Sequence, residues 1–142
     1  MKYIKVYKLF ESNIDDINDC FLNIQDDGYF FDVREMNANP IDFTNIDKVH
    51  LNDLDDYELD VDTKMIEIRI SKGEWNSSEF FQLSDIIDSV EMSIGFSSDM
   101  GYRVDSFLAI LDKYDNSKDY YYKDISNLPE RIYKLYITFV KN

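Results

Sequence analysis

Between Asn76 and Leu111 the chain carries its most constraining pattern: an amphipathic helix, an Asp- and Gly-containing turn and an apolar strand in immediate succession. Phe80, Leu83, Ile87, Val90 and Ile94 recur at spacings of 3, 4, 3 and 4, which is helical and puts one apolar stripe toward a core. Asn76 with Glu79 three residues on has the capping-box pattern, so the helix is expected to start there. Its expected end is near Ile94 to Phe96, where Gly95 and Ser97-Ser98-Asp99 interrupt the stripe and Gly101 supplies the positive φ that turns the chain back. A strand with Tyr102, Val104, Phe107 and Leu108 follows.

A shorter echo lies at Ser12 to Arg34. Ile14, Ile17, Phe21 and Ile24 step by 3, 4 and 3, with Ser12 or Asn13 available as N-cap. Asp26, Asp27 and Gly28 make the turn, and Tyr29, Phe31 and Val33 line one face of a strand. Gly28-Tyr29 stands against Gly101-Tyr102 in the two copies. The expectation is a single α+β domain over 1–142 with two pseudo-repeated strand-helix-turn-strand units, about 2–36 and 64–111.

The remaining segments fill in a sheet. Residues 2–9 fit a strand or a short helix, and a strand is preferred because it completes a β-α-β unit. The stretch from Met36 to Asp56 reads as a long loop, with room for one short turn of helix. Tyr57, Leu59 and Val61 alternate with acids, as do Ile66, Ile68 and Ile70 with Glu67 and Arg69, so the two runs are expected to pair as a hairpin. The stretch from Asp112 to Asn127 reads as polar and aromatic, and Leu128-Pro129-Glu130 as a helical turn or a break. Tyr133, Leu135, Ile137 and Phe139 mark a final strand. Two helices and about six mostly antiparallel strands, with both helices on one face, have the order of a ferredoxin-like sandwich with additional strands.

Charge is distributed unevenly. The net charge is −14, and residues 11–62 hold 16 Asp or Glu against only Arg34 and Lys48. So dense a negative field repels nucleic-acid phosphates and anionic membrane surfaces, so direct binding to either is not expected. It fits a solvated acidic surface, a recognition surface for a basic protein that mimics a nucleic-acid backbone, or a metal site. For the metal, Asp56, Glu58, Asp60, Asp62 and Glu67 fall at positions 1, 3, 5, 7 and 12 of a calcium loop. Val61 stands where that loop needs glycine, and the alternation around it is that of a strand, which cannot wrap an ion. The residues are therefore read as an acidic stripe, with no metal ligand assigned.

No stretch has the roughly 20 apolar residues that span a bilayer, and the lysines of residues 1–10 are interleaved with apolar residues rather than preceding them as in a signal peptide. The lone Cys20 reads as a small buried hydrophobe. His50 has no nucleophile motif around it, and the chain has no phosphate-binding glycine loop, Cys/His metal spacing or dinucleotide fingerprint. No residue is assigned to catalysis or to a cofactor. An enzyme stays open only if the aspartates around His50 converge in a concave pocket. Tyr120, Tyr121 and Tyr122, flanked by Lys118 and Lys123, offer rigid contact area for a partner, or else rings packed onto the sheet from a loop.

Met1-Lys2-Tyr3-Ile4-Lys5, Ile14-Asp15-Asp16-Ile17 and Asp26-Asp27-Gly28-Tyr29 together resemble the opening of small uncharacterised accessory proteins of large tailed bacteriophages. The resemblance covers about thirty residues and brings no catalytic residue with it. It implies a viral accessory protein acting in the host cytoplasm, or a minor virion component. The expected function is then a non-enzymatic, acidic protein that binds a basic host or viral protein. Asp53, Asp55, Asp56, Glu58, Asp60 and Asp62 lead the partner-binding residues, with Tyr120, Tyr121 and Tyr122 beside them. The alternative is a structural or virion-associated module that self-assembles.

Overall fold

Alternation with a period of two decides the architecture. A computed structural model describes residues 13–38, 40–43, 46–51 and 63–142. In chain order its main elements are α1 (Asn13–Asp19), α2 (Leu22–Gln25), β1 (Tyr29–Asn37), β2 (Lys48–His50), β3 (Lys64–Lys72), β4 (Phe81–Gln82), α3 (Ile87–Asp99), β5 (Tyr102–Ile110), β6 (Tyr120–Tyr122), β7 (Arg131–Ile132) and β8 (Lys134–Lys141). Six strands form one sheet in the order β1-β3-β8-β5-β6-β2, and β4 pairs with β7 in a second, two-stranded sheet. Every pairing is antiparallel.

Ile66, Ile68 and Ile70 of β3 stand in register with Phe139, Ile137 and Leu135 of β8, and all six are fully or almost fully buried. Phe107 and Ala109 of β5 extend this layer, and Ile17, Phe21 and Ile24 from the first helical segment and Val90 of α3 cover it. Each such side chain removed from water contributes about 1.5–3 kcal/mol, so this face holds the fold together. The chain is thus an α+β protein with helices packed on an antiparallel sheet. Because β3 and β5 both run antiparallel to β8 between them, they run parallel to each other, and α3 is the crossover that joins them.

Both turns anticipated at glycine are present. Gly28 has φ of 89° and Gly101 has φ of 85°, and each is followed by a buried tyrosine, Tyr29 or Tyr102, that opens a strand.

Several expectations are corrected. The helix does not begin at Asn76: that residue lies in a 3-10 turn, Trp75–Ser77, while Glu79 bridges to Lys72 and Phe81–Gln82 is strand. α3 starts at Ile87 without a side-chain cap and runs through Gly95 to Asp99. Its buried residues are Ser89, Val90, Ser93 and Ser97, with Ile87 and Ile94 only half-buried, so small serines rather than an isoleucine stripe set its seat. The Ser93 hydroxyl is satisfied by donating to the Val90 carbonyl, 2.6 Å away.

β3 is the described arm of the hairpin expected with residues 57–61. Its two edges are taken by β1 and β8, and the other arm of that hairpin lies outside the described residues. The expected loop between Met36 and Asp56 contains the short strand β2, and the stretch between Asp112 and Asn127 contains β6. Of the two readings of Leu128-Pro129-Glu130 the break fits, since the 3-10 turn there is Ile125–Asn127 and the three residues after it are not helical. The expected strand at 2–9 also lies outside the described residues.

Candidate functional site

The other face of the sheet is built from the alternate residues. Asp32, Arg69, Tyr136, Leu108, Tyr121 and Val49 form one row across all six strands, and Arg34, Glu67, Thr138 and Ser106 form the next. Among the described residues the 3-10 turn at Trp75–Ser77 meets these rows only at the corner of Arg69 and Tyr136, so their side chains are chosen by charge and hydrogen bonding rather than by packing alone.

Toward β1 the charges are matched. Arg34 donates from Nε and Nη2 to Glu67 Oε1 at 2.9 Å, and Arg69 Nη2 contacts Asp32 Oδ2 at 2.6 Å. Trp75 lies over this corner: the Arg69 guanidinium is 5.1 Å and the Lys134 ammonium 4.3 Å from its ring, and it meets Tyr136 edge-on at 5.5 Å.

Toward β5 the charges are unmatched, and the reason is a β-bulge. Val104 pairs with Phe139 and Ser106 with Thr138, leaving Asp105 as the extra residue. The bulge lets consecutive residues, Asp105 and Ser106, both line the open face. Asp105 is 7% exposed, and it accepts the Ile41 backbone N–H on Oδ1 at 3.2 Å and Oδ2 at 3.4 Å. That contact fastens the segment containing Ile41 to the sheet. It leaves a cavity of about 420 Å³. Glu67, Asp105, Tyr121 and Tyr136 give it polar groups, and Met36, Met65, Leu108, Ile41 and Leu51 give it apolar walls.

Burial governs the titration of the groups lining this cavity. Burial pushes the Asp105 carboxyl above its ordinary 3.8, against the opposing pull of the Ile41 N–H, the Ser106 hydroxyl and the Arg103 charge. The Tyr121 phenol is raised by burial first and then by Glu67, Tyr136 and Asp105. Tyr136 is likewise raised by burial and then by Glu67, with Arg69 and Arg34 opposing. Every one of these shifts disfavours adding negative charge.

The sequence-derived residues fall in different places. Asp53, Asp55, Asp56, Glu58, Asp60 and Asp62 lie outside the described residues. Their flanks are fixed: the Leu51 N–H donates to the Asp119 carbonyl at 3.0 Å, and the Thr63 carbonyl accepts from the Ala38 N–H at 3.2 Å. Tyr120, Tyr121 and Tyr122 are separated by the pleat. Tyr122 and Tyr120 pair with Phe107 and Ala109 on the helix face, while Tyr121 pairs with Leu108 and lines the cavity.

His50 packs edge-on to Tyr120 at 5.0 Å and has its Nε2 3.1 Å from the Ser117 carbonyl oxygen, a contact that only an N–H makes. It does not line the cavity. Cys20 is buried, and burial followed by Asp19 and Asp16 raises its thiol pKa. No group of three or more His, Cys, Asp or Glu that could hold a metal is found among the described residues. None of their helices is long and apolar enough to cross a membrane.

Asp105 and Tyr136 had no sequence signal to mark them. Asp105 sits inside an apolar strand as one more acid among many, and only the bulge brings it into the cavity that Glu67 also lines. Compared with protein-family models, curated proteins and solved structures, the chain matches none.

Proposed function

We propose that this chain is a non-enzymatic binding protein, of the bacteriophage accessory type and acting in the host cytoplasm, that recognises a basic protein partner. The observation that carries the reading is the open sheet face, where the Glu67 and Asp105 carboxylates and the Tyr121 and Tyr136 phenols surround one cavity. Elsewhere on the surface, Asp15, Asp19, Asp26, Asp27, Glu35, Asp42 and Asp47 are exposed, so these acids present their charge to solvent. Exposed carboxylates steer a basic partner from a distance, and the phenols supply contact area once it arrives. The same reading takes the sheet and its helices as a ferredoxin-like sandwich, in which β8 holds the place between β3 and β5.

Binding of a labelled lysine- and arginine-rich peptide at low and high salt tests the proposal. Affinity should fall steeply with salt, because screening shortens the reach of exposed charges. It should fall again when Asp53, Asp55, Asp56, Glu58, Asp60 and Asp62 are replaced together by Asn or Gln. Binding that ignores both changes contradicts the charge reading.

A second reading, a self-assembling structural or virion-associated module, is favoured by one observation. β1 is paired with β3 along its whole length, and its other edge has no strand partner among the described residues. An edge of nine residues with no partner among the described strands is a template for another strand. Sizing the purified chain by light scattering separates the two readings: a defined oligomer supports assembly, and a monomer at all concentrations removes it.

A further inference from the structure

We infer that the cavity over β5, β6 and β8 is a socket for a single basic side chain of the partner, arginine before lysine. The inference rests on the basic-partner reading and adds to it the place and the chemistry of recognition. Three observations carry it.

The first is charge matching within the open face. Toward β1 each acid facing the sheet has a guanidinium of its own, Arg34 on Glu67 and Arg69 on Asp32. At the cavity the pattern stops: among the described residues Asp105 takes part in no ion pair, although it is more than nine-tenths buried. Both Arg34 contacts fall on Glu67 Oε1, which leaves Oε2 for another donor. A cation entering here completes the pairing that the rest of the face already shows, and an anion is repelled by both carboxylates.

The second is shape. A volume of about 420 Å³ with a half-buried rim takes an extended side chain rather than a whole folded segment. Met65 and Leu108 supply apolar wall for the methylenes of a long basic residue, whose charged head then meets the polar groups. The third is the pair of phenols. Tyr121 and Tyr136 line the same cavity, and aromatic faces attract guanidinium, as Trp75 already attracts Arg69 and Lys134 next door. Planarity and the fork of donors favour arginine for two carboxylates at different positions.

The test uses the full chain and three capped pentapeptides that differ only in a central arginine, lysine or citrulline, with binding followed by calorimetry and by chemical shifts of the Tyr121 and Tyr136 rings. The arginine peptide should bind at least about tenfold more tightly than the citrulline peptide, which keeps the shape and loses the charge. Lysine should fall between them. Asp105→Asn should remove most of the preference for arginine over citrulline. Because Asp105 also holds Ile41, Leu108→Trp, which fills the cavity from an unrelated position, and Tyr136→Phe, which removes only a hydroxyl, are measured beside it.

Equal binding of arginine and citrulline peptides, or an arginine preference untouched by all three substitutions in folded protein, overturns the socket. If the polybasic peptide still binds in a salt-dependent way while the socket fails, the acidic-surface reading survives alone. If the polybasic peptide does not bind either, both fall.

Discussion

The two faces of the six-stranded sheet are made from the same strands and obey different rules. In β8, Leu135, Ile137 and Phe139 are fully buried beneath the helices, whereas Tyr136 and Thr138, one residue along, are half-exposed on the other side. One face is built on buried apolar side chains and keeps charges such as Glu35, Lys48 and Lys72 to its edge strands and strand ends; the other keeps charges across its middle, pairs most of them, and leaves a cavity where it does not. The difference teaches where to look for function. A chain that could have covered the second face with apolar residues instead buries a carboxylate there, and a buried carboxylate costs stability that packing must offset.

Substitutions on the two sides of one strand should break the comparison most visibly. Ile137→Ala leaves a void beneath the helices, and chemical denaturation should show a loss of roughly 2–5 kcal/mol. Its neighbour Thr138→Ala, on the open face, should change stability by less than about 1 kcal/mol. Comparable losses at the two positions would mean that the second face is also a packed core.

A smaller effect is expected at the matched charges. Arg69→Leu removes the contact with Asp32 and the guanidinium over Trp75, but both partners are partly exposed and screened by solvent, so each contact is worth only a fraction of its nominal strength. Arg69 Nε is also buried without a hydrogen-bond partner, and losing an unsatisfied donor offsets part of the cost. Thermal unfolding should therefore show a loss of about 1 kcal/mol or less, shrinking in high salt. A loss several times larger would mean that this corner is part of the core.

The helix face was legible in the sequence and the open face was not. Alternation in Ile66, Ile68 and Ile70 and in Leu135, Ile137 and Phe139 named the central core strands, and Gly28 and Gly101 marked both turns, because burial and positive φ leave residue-type signatures. The start of α3 was misplaced because the capping pattern at Asn76 and Glu79 is local chemistry, and strand pairing at Phe81 and the Lys72 bridge override it. Serines seat α3, and serine carries no apolar signal.

The cavity depends on a bulge. A single extra residue between Val104 and Ser106 re-aims Asp105, and no period in the sequence reports it. The tyrosine triplet was singled out as a unit, but the pleat assigns only Tyr121 to the cavity.

Stability and binding measured together on Asp105→Asn test the central claim most directly. The Asp105 carboxyl is raised above its ordinary 3.8 in the folded protein, so between that value and the folded pKa the native state holds more protons than the unfolded chain. Its charge thus lowers stability as pH rises through this window, and the cost is relieved in acid. Asn keeps one oxygen for the Ile41 N–H and carries no charge. The variant should be as stable as the parent or more stable at neutral pH, the two should converge as pH falls below the window, and the arginine peptide should lose about tenfold or more in affinity. A variant that is less stable at neutral pH and binds the peptide unchanged would show that Asp105 is a structural clasp for Ile41 and nothing more.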